Sequence, residues 1–519
     1  MSKILKLFIN ENIKIIKKKS TVIMLMLSIV ALIGAVGLAY LMKYTNQMDQ
    51  DFYASMGDYK EVIKQEIANT KQEMKIKENN NNSFEYDELK AKLEKYELAL
   101  ENDIDIINYS TNSWKDELLS KIDSLNYDIN SSKYLLSDEE IKEKENQKQK
   151  LINMLKSQDF EQYIEAQIKD LKEEYNNKKI EKDEYDFSLY ILELKEKYEI
   201  GKTGEKEEEW KQNILNEITD LKEGLRTNIN TITNKILTPK EIKKYEDALK
   251  IDEYRLENNM PTVETYSDYR NIYDYIAPRF SMAIVAIMVI IIAGGTISTE
   301  ISKGTIKFLT FTPNKRWKIL FSKILSTTII LILVTIMLAI LSNIIGNIAF
   351  PNNKPQDYLY VENEEVRTIS HGLYMLLYYL ATSIDIFVFI IFAIMLSVIT
   401  RNTAVSVSIS IGTYVGSGMI MTMINTFIKK DWVKFIPFNN LSIVDKIFPN
   451  QTSYIMQQTT AQYMNNVSLQ FSLAVLAVCV FLMIVTMFDS FNNKDINWKE
   501  TQFEIYFFQT ELYIMKGMN

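Results

Sequence analysis

Six stretches of this chain are apolar and long enough to cross a lipid bilayer, and this limits the possible folds more than any other feature. A membrane-spanning helix needs roughly 20 largely apolar residues. A soluble protein would have to bury six such helices in one core. The sequence therefore predicts an all-α membrane protein, although polar segments keep the mean hydropathy at −0.11. The six predicted spans are 21–43, 278–298, 324–350, 372–400, 401–427 and 469–488.

The charges between the spans predict how the chain is oriented. Lysines are dense in residues 1–20 and 299–323, and Arg401 lies in the tight turn between the fourth and fifth spans. Cytoplasmic loops carry an excess of Lys and Arg, and these three segments share one side if the spans alternate. We therefore expect a multi-pass plasma-membrane protein with both termini in the cytoplasm. The tail is then 489–519, and the loops that face the exterior are 351–371 and 428–468.

The segment before the first span has two interpretations. Ile4, Leu7, Phe8 and Ile15 are interleaved with lysines, a pattern typical of an interfacial (elbow) helix on the inner membrane surface. The alternative is a simple basic flank. The apolar stretch that follows exceeds the about 7–15 residues of a signal peptide, so we expect a retained span.

Residues 44–277, between the first two spans, differ in composition from the rest of the chain. They hold 35 Lys and Arg against 53 Asp and Glu, a net charge of −18, whereas the remainder carries +10. We predict an extracellular domain, referred to below as the insert. Because it offers no basic face, nucleic acid is not expected as a partner. The insert has no cysteine, which fits the surface of a Gram-positive bacterium.

Apolar residues in the insert recur at helical spacing. Leu89, Leu93, Tyr96 and Leu100 are separated by steps of four, three and four residues, the seam of a coiled coil. We expect several long helices folded into antiparallel hairpins. Partial disorder is the alternative, because the segment is highly charged.

Two local patterns predict where helices of the insert begin. Ser137 with Glu140 forms a capping box ahead of an apolar residue. Thr238 precedes a proline, which is favoured at the first position of a helix. Breaks between helices are expected where polar residues cluster, at 77–83, 175–179 and 201–206.

Little in the sequence indicates catalysis. The tripeptide at 201–203 resembles the end of a phosphate-binding loop, but Glu196 occupies the position where the first glycine would stand. His371 is the single histidine, and we expect it to pack at the membrane interface. Cys479 is the single cysteine and lies in the sixth span, where we interpret it as an apolar residue. We predict that the chain is not an enzyme and binds no metal or cofactor.

Three polar residues within the predicted spans are candidates for a role inside the membrane. Asp385 is the one acid well inside a span, and burying its charge is costly unless it is paired or hydrated. It either contacts a substrate or proton, or forms a structural hydrogen bond to another helix. Asn343 and Asn347 are about one helical turn apart. They either join Asp385 in a polar stripe or lie near the outer interface.

Small residues recur in the fifth span at every fourth position. The series is Ala404, Ser408, Gly412 and Gly416. Such a smooth stripe allows another helix to approach closely. We predict a packing seam, either within the subunit or across a dimer.

The segment from Glu300 to Lys323 resembles the cytoplasmic loop of ABC-2 type permeases, which are membrane subunits of ATP-driven exporters. In that family the loop has an acid, a Gly-Thr pair, a Pro-x-x-Arg turn and a lysine that opens the next helix. The matching residues are Glu300, Gly304, Thr305, Pro313, Arg316 and Lys323.

Three other segments extend the resemblance to about 1–43 and 256–495. Arg401 to Ala404 is similar to the family's tight turn between the fourth and fifth spans, and Lys434 to Asn439 to its exterior loop before the last span. Leu256 to Pro261 looks like the approach to the second span in a Gram-positive branch with large inserts.

The resemblance implies that the chain is the permease of an ABC exporter for a hydrophobic or amphipathic substrate, such as an antimicrobial peptide, a drug or a lipid. It implies a cytoplasmic ABC ATPase subunit that holds ATP-Mg, a second permease subunit in a homo- or heterodimer, and contact with membrane lipid. The loop residues above, with Lys303, would form a coupling helix for the ATPase. The loop could instead be only a positive anchor.

Two alternatives concern the insert. In the first, the spans anchor an extracellular coiled-coil sensor or scaffold that transports nothing. In the second, the acidic insert captures a cationic peptide near the membrane and the spans expel it.

Overall fold

In the computed structural model, six helices are long and apolar enough to span a membrane, as predicted. They are α2 (Lys19–Ala54), α11 (Tyr269–Gly295), α13 (Arg316–Ala349), α14 (His371–Thr400), α15 (Thr403–Phe427) and α17 (Leu469–Asn493). The structure describes residues 3–54, 59–78, 83–106, 113–131, 137–203, 208–231, 233–261, 269–305, 316–428, 430–449 and 467–493. The chain is therefore a multi-pass α-helical membrane protein.

Helix α11 is the centre of the bundle. It packs against α2, α13, α14 and α15, and it is the most buried of the six. Val289, Ile290 and Ala293 on this helix are fully buried. Much of α15 and α17 is exposed within the chain, so these two helices lie at the edge of the bundle, where lipid or another protein can cover them.

Two spans begin earlier than the apolar pattern predicts. Helix α11 starts nine residues before 278, and α13 starts eight residues before 324. The added turns contain Arg270, Asp274 and Arg316, which hydropathy places outside a span. Charged residues are tolerated at these helix ends because they pair within the protein, as the ion pair between Arg270 and Asp274 shows.

The insert is helical in the part of the chain that the structure describes. Its first four helices contact one another in sequence order, and their ion pairs show that neighbours run in opposite directions, since Lys60 meets Asp103 while Lys77 meets Glu85. The eight helices are α3 (Tyr59–Glu78), α4 (Ser83–Glu101), α5 (Trp114–Ser131), α6 (Asp138–Ser157), α7 (Phe160–Asn176), α8 (Lys182–Lys197), α9 (Glu209–Thr227) and α10 (Pro239–Glu257).

The predicted helix starts in the insert are confirmed, whereas the two-helix seam is not. The predicted capping box forms at Ser137, and Pro239 occupies the first position of α10, where Thr238 and Glu241 form a second capping box. Leu89 and Leu93 are only half-buried, while the adjacent Leu98 and Ala99 are both buried. Helix α4 packs against α3 on one side and against α5 on another. Adjacent residues, which point to different sides of the helix, are therefore both buried.

The two largest apolar clusters among the described residues of the insert hold its helices together. The first is formed by α3 to α7 around Trp114 and Tyr163, whose ring centroids are 5.2 Å apart. The second is formed by α8, α9 and α10 around Ile214 and Ile218. An ion pair of 2.8 Å between Lys195 Nζ and Glu117 Oε2 joins α8 to α5.

A β-hairpin is the exception to the predicted all-α fold. Within the loop at 351–371, β1 (Tyr358–Glu362) pairs antiparallel with β2 (Glu365–Ile369), so that Tyr358 lies opposite Ile369. The strands consist largely of aromatic and β-branched residues, which favour this structure. The turn residues Asn363 and Glu364 both have positive φ, as a type I′ turn requires.

The remaining described elements are short. Helix α1 (Lys3–Ile16) precedes the first span, and α12 (Ser298–Ser302) follows the second. Before the last span, two 3₁₀ helices at Asp431–Phe435 and Pro437–Asn440 lead into α16 (Ile443–Ile447). The predicted tail from 494 onwards lies outside the described residues.

Candidate functional site

Lys323 is a buried charge at the centre of a group of ionic residues beside the predicted coupling loop. Its Nζ atom is 3.0 Å from Glu300 Oε1 and 3.0 Å from Glu11 Oε1, and its side chain is only 2% exposed. A buried ammonium needs such partners because desolvation of an unpaired charge is costly. The structure thus brings together two predicted residues, Glu300 and Lys323, from the two ends of the loop.

The same group contains two residues of α1 that sequence reasoning did not identify. Lys14 forms an ion pair with Glu300, and Glu11 contacts Lys323. Burial alone would lower the pKa of Lys14, but the hydrogen bond to Glu300 and the charge of Glu11 outweigh it and raise the pKa. We call Glu11, Lys14, Glu300 and Lys323 the charged junction. Glu11 and Lys14 are three residues apart on an amphipathic helix, and this spacing is the sequence feature that could have identified them as neighbours on one helix face.

Further contacts seat α1 on α13. Asn12 Nδ2 lies 3.4 Å from Ser326 Oγ, and Ser326 Oγ also donates to the carbonyl of Phe8 at 3.4 Å. The other face of α1 leaves Leu5, Ile9, Ile13 and Ile16 exposed. An apolar stripe of this kind supports the interfacial-helix interpretation over the basic flank.

Hydroxyl groups fix the start of α12 against α14 and α15. Ser298 Oγ is 2.8 Å from Thr403 Oγ1, and Ser397 Oγ accepts from the backbone N–H of Ser298 at 3.0 Å. Ser406 Oγ donates to the carbonyl of Gly294 at 2.8 Å. Small side chains make this approach possible, since a Cβ at Gly294 would lie 2.8 Å from Val407. Helix α12 is therefore held at both ends, by hydroxyl groups and by the charged junction.

The turn after α12 ends the described part of the predicted coupling loop. Gly304 has a φ of +68° and its N–H donates to the carbonyl of Ile301 at 3.0 Å, the conformation that ends many helices. Thr305 Oγ1 donates to the carbonyl of Glu300 at 3.3 Å, and the side chain of Lys303 is exposed. Pro313 lies outside the described residues.

Arg316 opens α13 at the far end of the loop. Its Nη1 atom lies 3.5 Å from the carbonyl oxygen of Phe491 in α17. Arg316 and Lys323 are separated by about two helical turns. The predicted coupling residues thus divide into a buried pair, Glu300 and Lys323, and residues nearer the surface, Lys303 and Arg316.

Asp385 binds the backbone at the start of α16. Its Oδ2 atom accepts from the N–H of Ile443 at 3.2 Å, whereas Oδ1 is buried without a hydrogen-bond partner among the described residues. Lys446, one turn further along α16, donates to Ser472 Oγ in α17 at 2.7 Å. This arrangement supports the structural alternative, in which Asp385 holds α16 against the bundle.

Asn343 and Asn347 do not form the polar stripe with Asp385 in the described structure. Asn343 Nδ2 donates to the carbonyl of Ala339 in its own helix at 3.2 Å. Asn347 Oδ1 instead accepts from Arg270 Nη1 at 2.9 Å, near the end of α13. The alternative position, near the end of the span, is the one that the structure supports.

Arg270 gathers a second group of polar residues, which we call the Arg270 cluster: Arg270, Asp274, Asn347 and His371. Arg270 Nε is 2.8 Å from Asp274 Oδ2 and Nη2 is 3.2 Å from His371 Nε2. His371 Nε2 also lies 3.3 Å from Asp274 Oδ2. We expected His371 to pack at the membrane interface; it lies at the start of α14 and also contacts Arg270 and Asp274. Its partners were not recognised because Arg270 and Asp274 stand before the apolar run.

The small-residue series of α15 does not pack against another part of the described chain. Ala404, Ser408 and Gly412 are exposed, and nothing lies within 4 Å of a Cβ built at Gly412. Gly416 is half-buried. The face that packs inside the subunit carries Ser406, Ser410, Ser417 and Met421. The seam within the subunit is therefore wrong, and the seam across a dimer stays a prediction.

No group of three or more His, Cys, Asp or Glu residues suited to a metal occurs among the described residues. Cys479 is a free, half-buried cysteine of α17. The tripeptide at 201–203 follows α8 in a charged turn.

The comparisons with known proteins cover mainly the membrane part of the chain. The model of a family described as "Protein of unknown function (DUF2705)" matches residues 254–497. The chain is similar to "Uncharacterized protein YhcI" of Bacillus subtilis (strain 168), with 25% identity over 297 residues, which are 56% of this chain and 86% of that protein. No solved structure matches the chain. The family match includes Glu300, Lys323 and the whole Arg270 cluster but leaves out α1 and most of the insert.

Proposed function

We propose that this protein is the permease subunit of an ABC exporter, which moves a hydrophobic or amphipathic substrate across the plasma membrane with energy from a separate ATPase. The substrate classes are an antimicrobial peptide, a drug or a lipid. The proposal begins from the resemblance of residues 300–323 to the coupling loop of ABC-2 type permeases. It places both termini, α1 and α12 in the cytoplasm, and the insert outside a Gram-positive cell.

The observation that carries the proposal is the charged junction. It joins the short helix after the second span to the first turns of the third span and to α1 through Glu300 and Lys323. A force applied to α12 would reach α11 and α13 together because the ion pairs and hydroxyl contacts leave α12 little freedom. A simple positive anchor would need only exposed lysines and no buried counter-charge.

The distribution of elements supports the proposed sidedness. Helix α1, α12 and the turn at Arg401 lie at one end of the bundle, where Lys and Arg are frequent in the short loops. Helix α10 and the β-hairpin contact each other at the opposite end. A bundle of six alternating spans places the two groups on different sides of the membrane.

The proposed partners follow from the exposed surfaces. Lys303 is exposed beside the buried Glu300, so it is available to an acidic groove of an ATPase that carries ATP-Mg. The exposed small residues of α15 would pack against a second permease subunit, as a homo- or heterodimer, and the other apolar faces would contact lipid.

The test is co-purification of the full chain from its own host with a Lys303→Glu variant and a Lys318→Glu control. We expect an ATPase to co-purify with the wild type and the control, and its yield to fall with Lys303→Glu. Recovery of no ATPase with the wild type would contradict the proposal and favour the anchored sensor or scaffold. An equal yield for all three proteins would contradict the docking role of Lys303.

A further inference from the structure

We infer that the β1–β2 hairpin is a lever that couples the position of α10 in the insert to the Arg270 cluster at the end of the bundle. The inference concerns how two parts of the chain move together. It is independent of the proposed transport function, since it requires neither an ATPase nor a substrate.

The tip of the hairpin is attached to the insert. Helix α10 packs against both strands, and Lys250 on α10 forms an ion pair with Glu364 in the turn. Glu364 has a φ of +68°, a conformation that L residues with a Cβ adopt at an energetic cost. A two-residue turn that tolerates this strain places the carboxylate directly at the tip, where it meets Lys250.

The strands leave little freedom between tip and base. Every residue from Tyr358 to Glu362 is paired with a residue of the other strand, and the turn contains only Asn363 and Glu364. If one strand slid past the other by one residue, each of its side chains would turn to the opposite face of the hairpin. A displacement of the tip is therefore carried to the base of the hairpin.

The base is joined to the bundle at three places. Only Ser370 separates β2 from α14, and Asp357 Oδ1 accepts from the N–H of His371 at 3.0 Å. Tyr358 stacks on Tyr374 of α14 with ring centroids 4.8 Å apart and planes 11° apart. Its hydroxyl group donates to the carbonyl of Pro449 at 3.4 Å.

His371 then transmits the position of the hairpin to two other spans. Its Nε2 atom contacts both Arg270 and Asp274 of α11, and Arg270 contacts Asn347 of α13. The side chain of Arg270 is 1% exposed, so it cannot follow His371 without breaking another of its contacts. The ends of α11, α13 and α14 are thus tied to the base of the hairpin.

A substitution in the turn can release α10 without unfolding the hairpin. Glu364→Gly removes the ion pair and creates an Asn-Gly turn, the pair that type I′ turns prefer. Asn363→Gly is the matched control, because it changes the same turn and leaves Lys250 and Glu364 in place. The combined variant Lys250→Glu with Glu364→Lys exchanges the two charges and should restore the pair.

The readout is hydrogen–deuterium exchange of the full chain in lipid nanodiscs. For Glu364→Gly we expect exchange up to about fivefold faster in α10 and in the first two turns of α14, the size expected for loss of a partly exposed ion pair. The hairpin amides should exchange no faster than in the wild type. Asn363→Gly and the charge exchange should match the wild type at α14. Unchanged exchange at α14 in Glu364→Gly, whether or not α10 changes, would overturn the inference.

Discussion

Glu300 and Lys323 stand 23 residues apart in the sequence, yet their side chains form a buried ion pair of 3.0 Å. Glu300 follows the second span and Lys323 lies near the start of the third. Helix α1 completes the group, because Glu11 and Lys14 supply a second acid and a second base. The charged junction therefore joins three separate parts of the chain. It gives the predicted coupling loop a fixed base.

Removing Lys323 should destabilise the protein strongly. Lys323→Met leaves the buried Glu300 and the half-buried Glu11 with only the largely exposed Lys14 as counter-charge, and breaking a buried pair costs up to about 3–5 kcal/mol. Lys303→Met is the control, since Lys303 is exposed and its loss should cost no more than about 0.5 kcal/mol. Thermal unfolding of the purified full chain in detergent measures the difference. Equal midpoints for the two variants would contradict the assigned role of Lys323.

Adding a methyl group at Gly346 should disturb the Arg270 cluster. A Cβ at this position would lie 2.7 Å from the guanidinium carbon of Arg270. Because three partners hold the buried guanidinium, it can move only by losing contacts. We expect Gly346→Ala to lower the free energy of unfolding by about 1–3 kcal/mol, the range for overpacking.

Gly412→Ala is the matched control for Gly346→Ala in another span. Nothing lies within 4 Å of a Cβ at Gly412, and alanine is the better helix former. Chemical denaturation of both variants in the same detergent provides the comparison. If Gly346→Ala were as stable as Gly412→Ala, the close packing of Arg270 on α13 would be wrong.

Glu117 should make the insert sensitive to acid. Burial alone would raise its pKa, but the ammonium groups of Lys195 and Lys121 outweigh burial and lower the pKa from its ordinary value of 4.5 to about 2. A carboxyl with a lowered pKa stabilises the fold fully above about pH 4.5, and the stabilisation is lost as the pH falls through about 2. The side chain is 37% exposed, so we expect an effect of about 1 kcal/mol.

The measurement is the free energy of unfolding of the wild type and of Glu117→Gln from about pH 2 to about pH 7, a range that covers the titration of Glu117. The difference between them should be present at pH 7 and shrink on acidification. Glu139→Gln, at an exposed position at the start of α6, is the control for removing a carboxyl outside this ion pair. A difference for Glu117→Gln that is constant across the range would contradict the ion pair with Lys195.

Asp252 should have the opposite effect on stability. It is 6% exposed, and its Oδ2 atom has no hydrogen-bond partner among the described residues. Burial raises its pKa well above the usual value, and Glu217 adds to this while Arg255 opposes it. A carboxyl with a raised pKa costs stability as the pH rises through that pKa.

We therefore expect Asp252→Asn to unfold at an equal or higher temperature than the wild type, with a difference that grows as the pH rises through the raised pKa of Asp252. The exposed Glu246→Gln on the same helix is the control for a change of charge. A fall in the stability of Asp252→Asn by more than about 1 kcal/mol would show that the ionised carboxylate is a stabilising partner of Arg255.

Local patterns predicted what depends on neighbouring residues in the chain. The six spans follow from apolar length, and the helix starts at Ser137 and Thr238 follow from a capping box and from a proline at the first helical position. These features are confirmed because a bilayer-length apolar run and a helix start are decided within one segment. The β-hairpin at 358–369 also had a local signal, because aromatic and β-branched residues flank Asn363. Such a signal is not visible in the pattern of apolar spans.

The sequence by itself determined the class of protein, the order of its spans and the acidic insert. Only the tertiary structure decided which charges pair, because Glu11 and Lys323 are 312 residues apart and no local pattern relates them. It likewise decided that His371 meets Arg270, and that Asp385 binds the backbone of α16. Apolar burial is additive along a segment and can be counted from composition, whereas an ion pair requires two atoms to meet at about 3 Å.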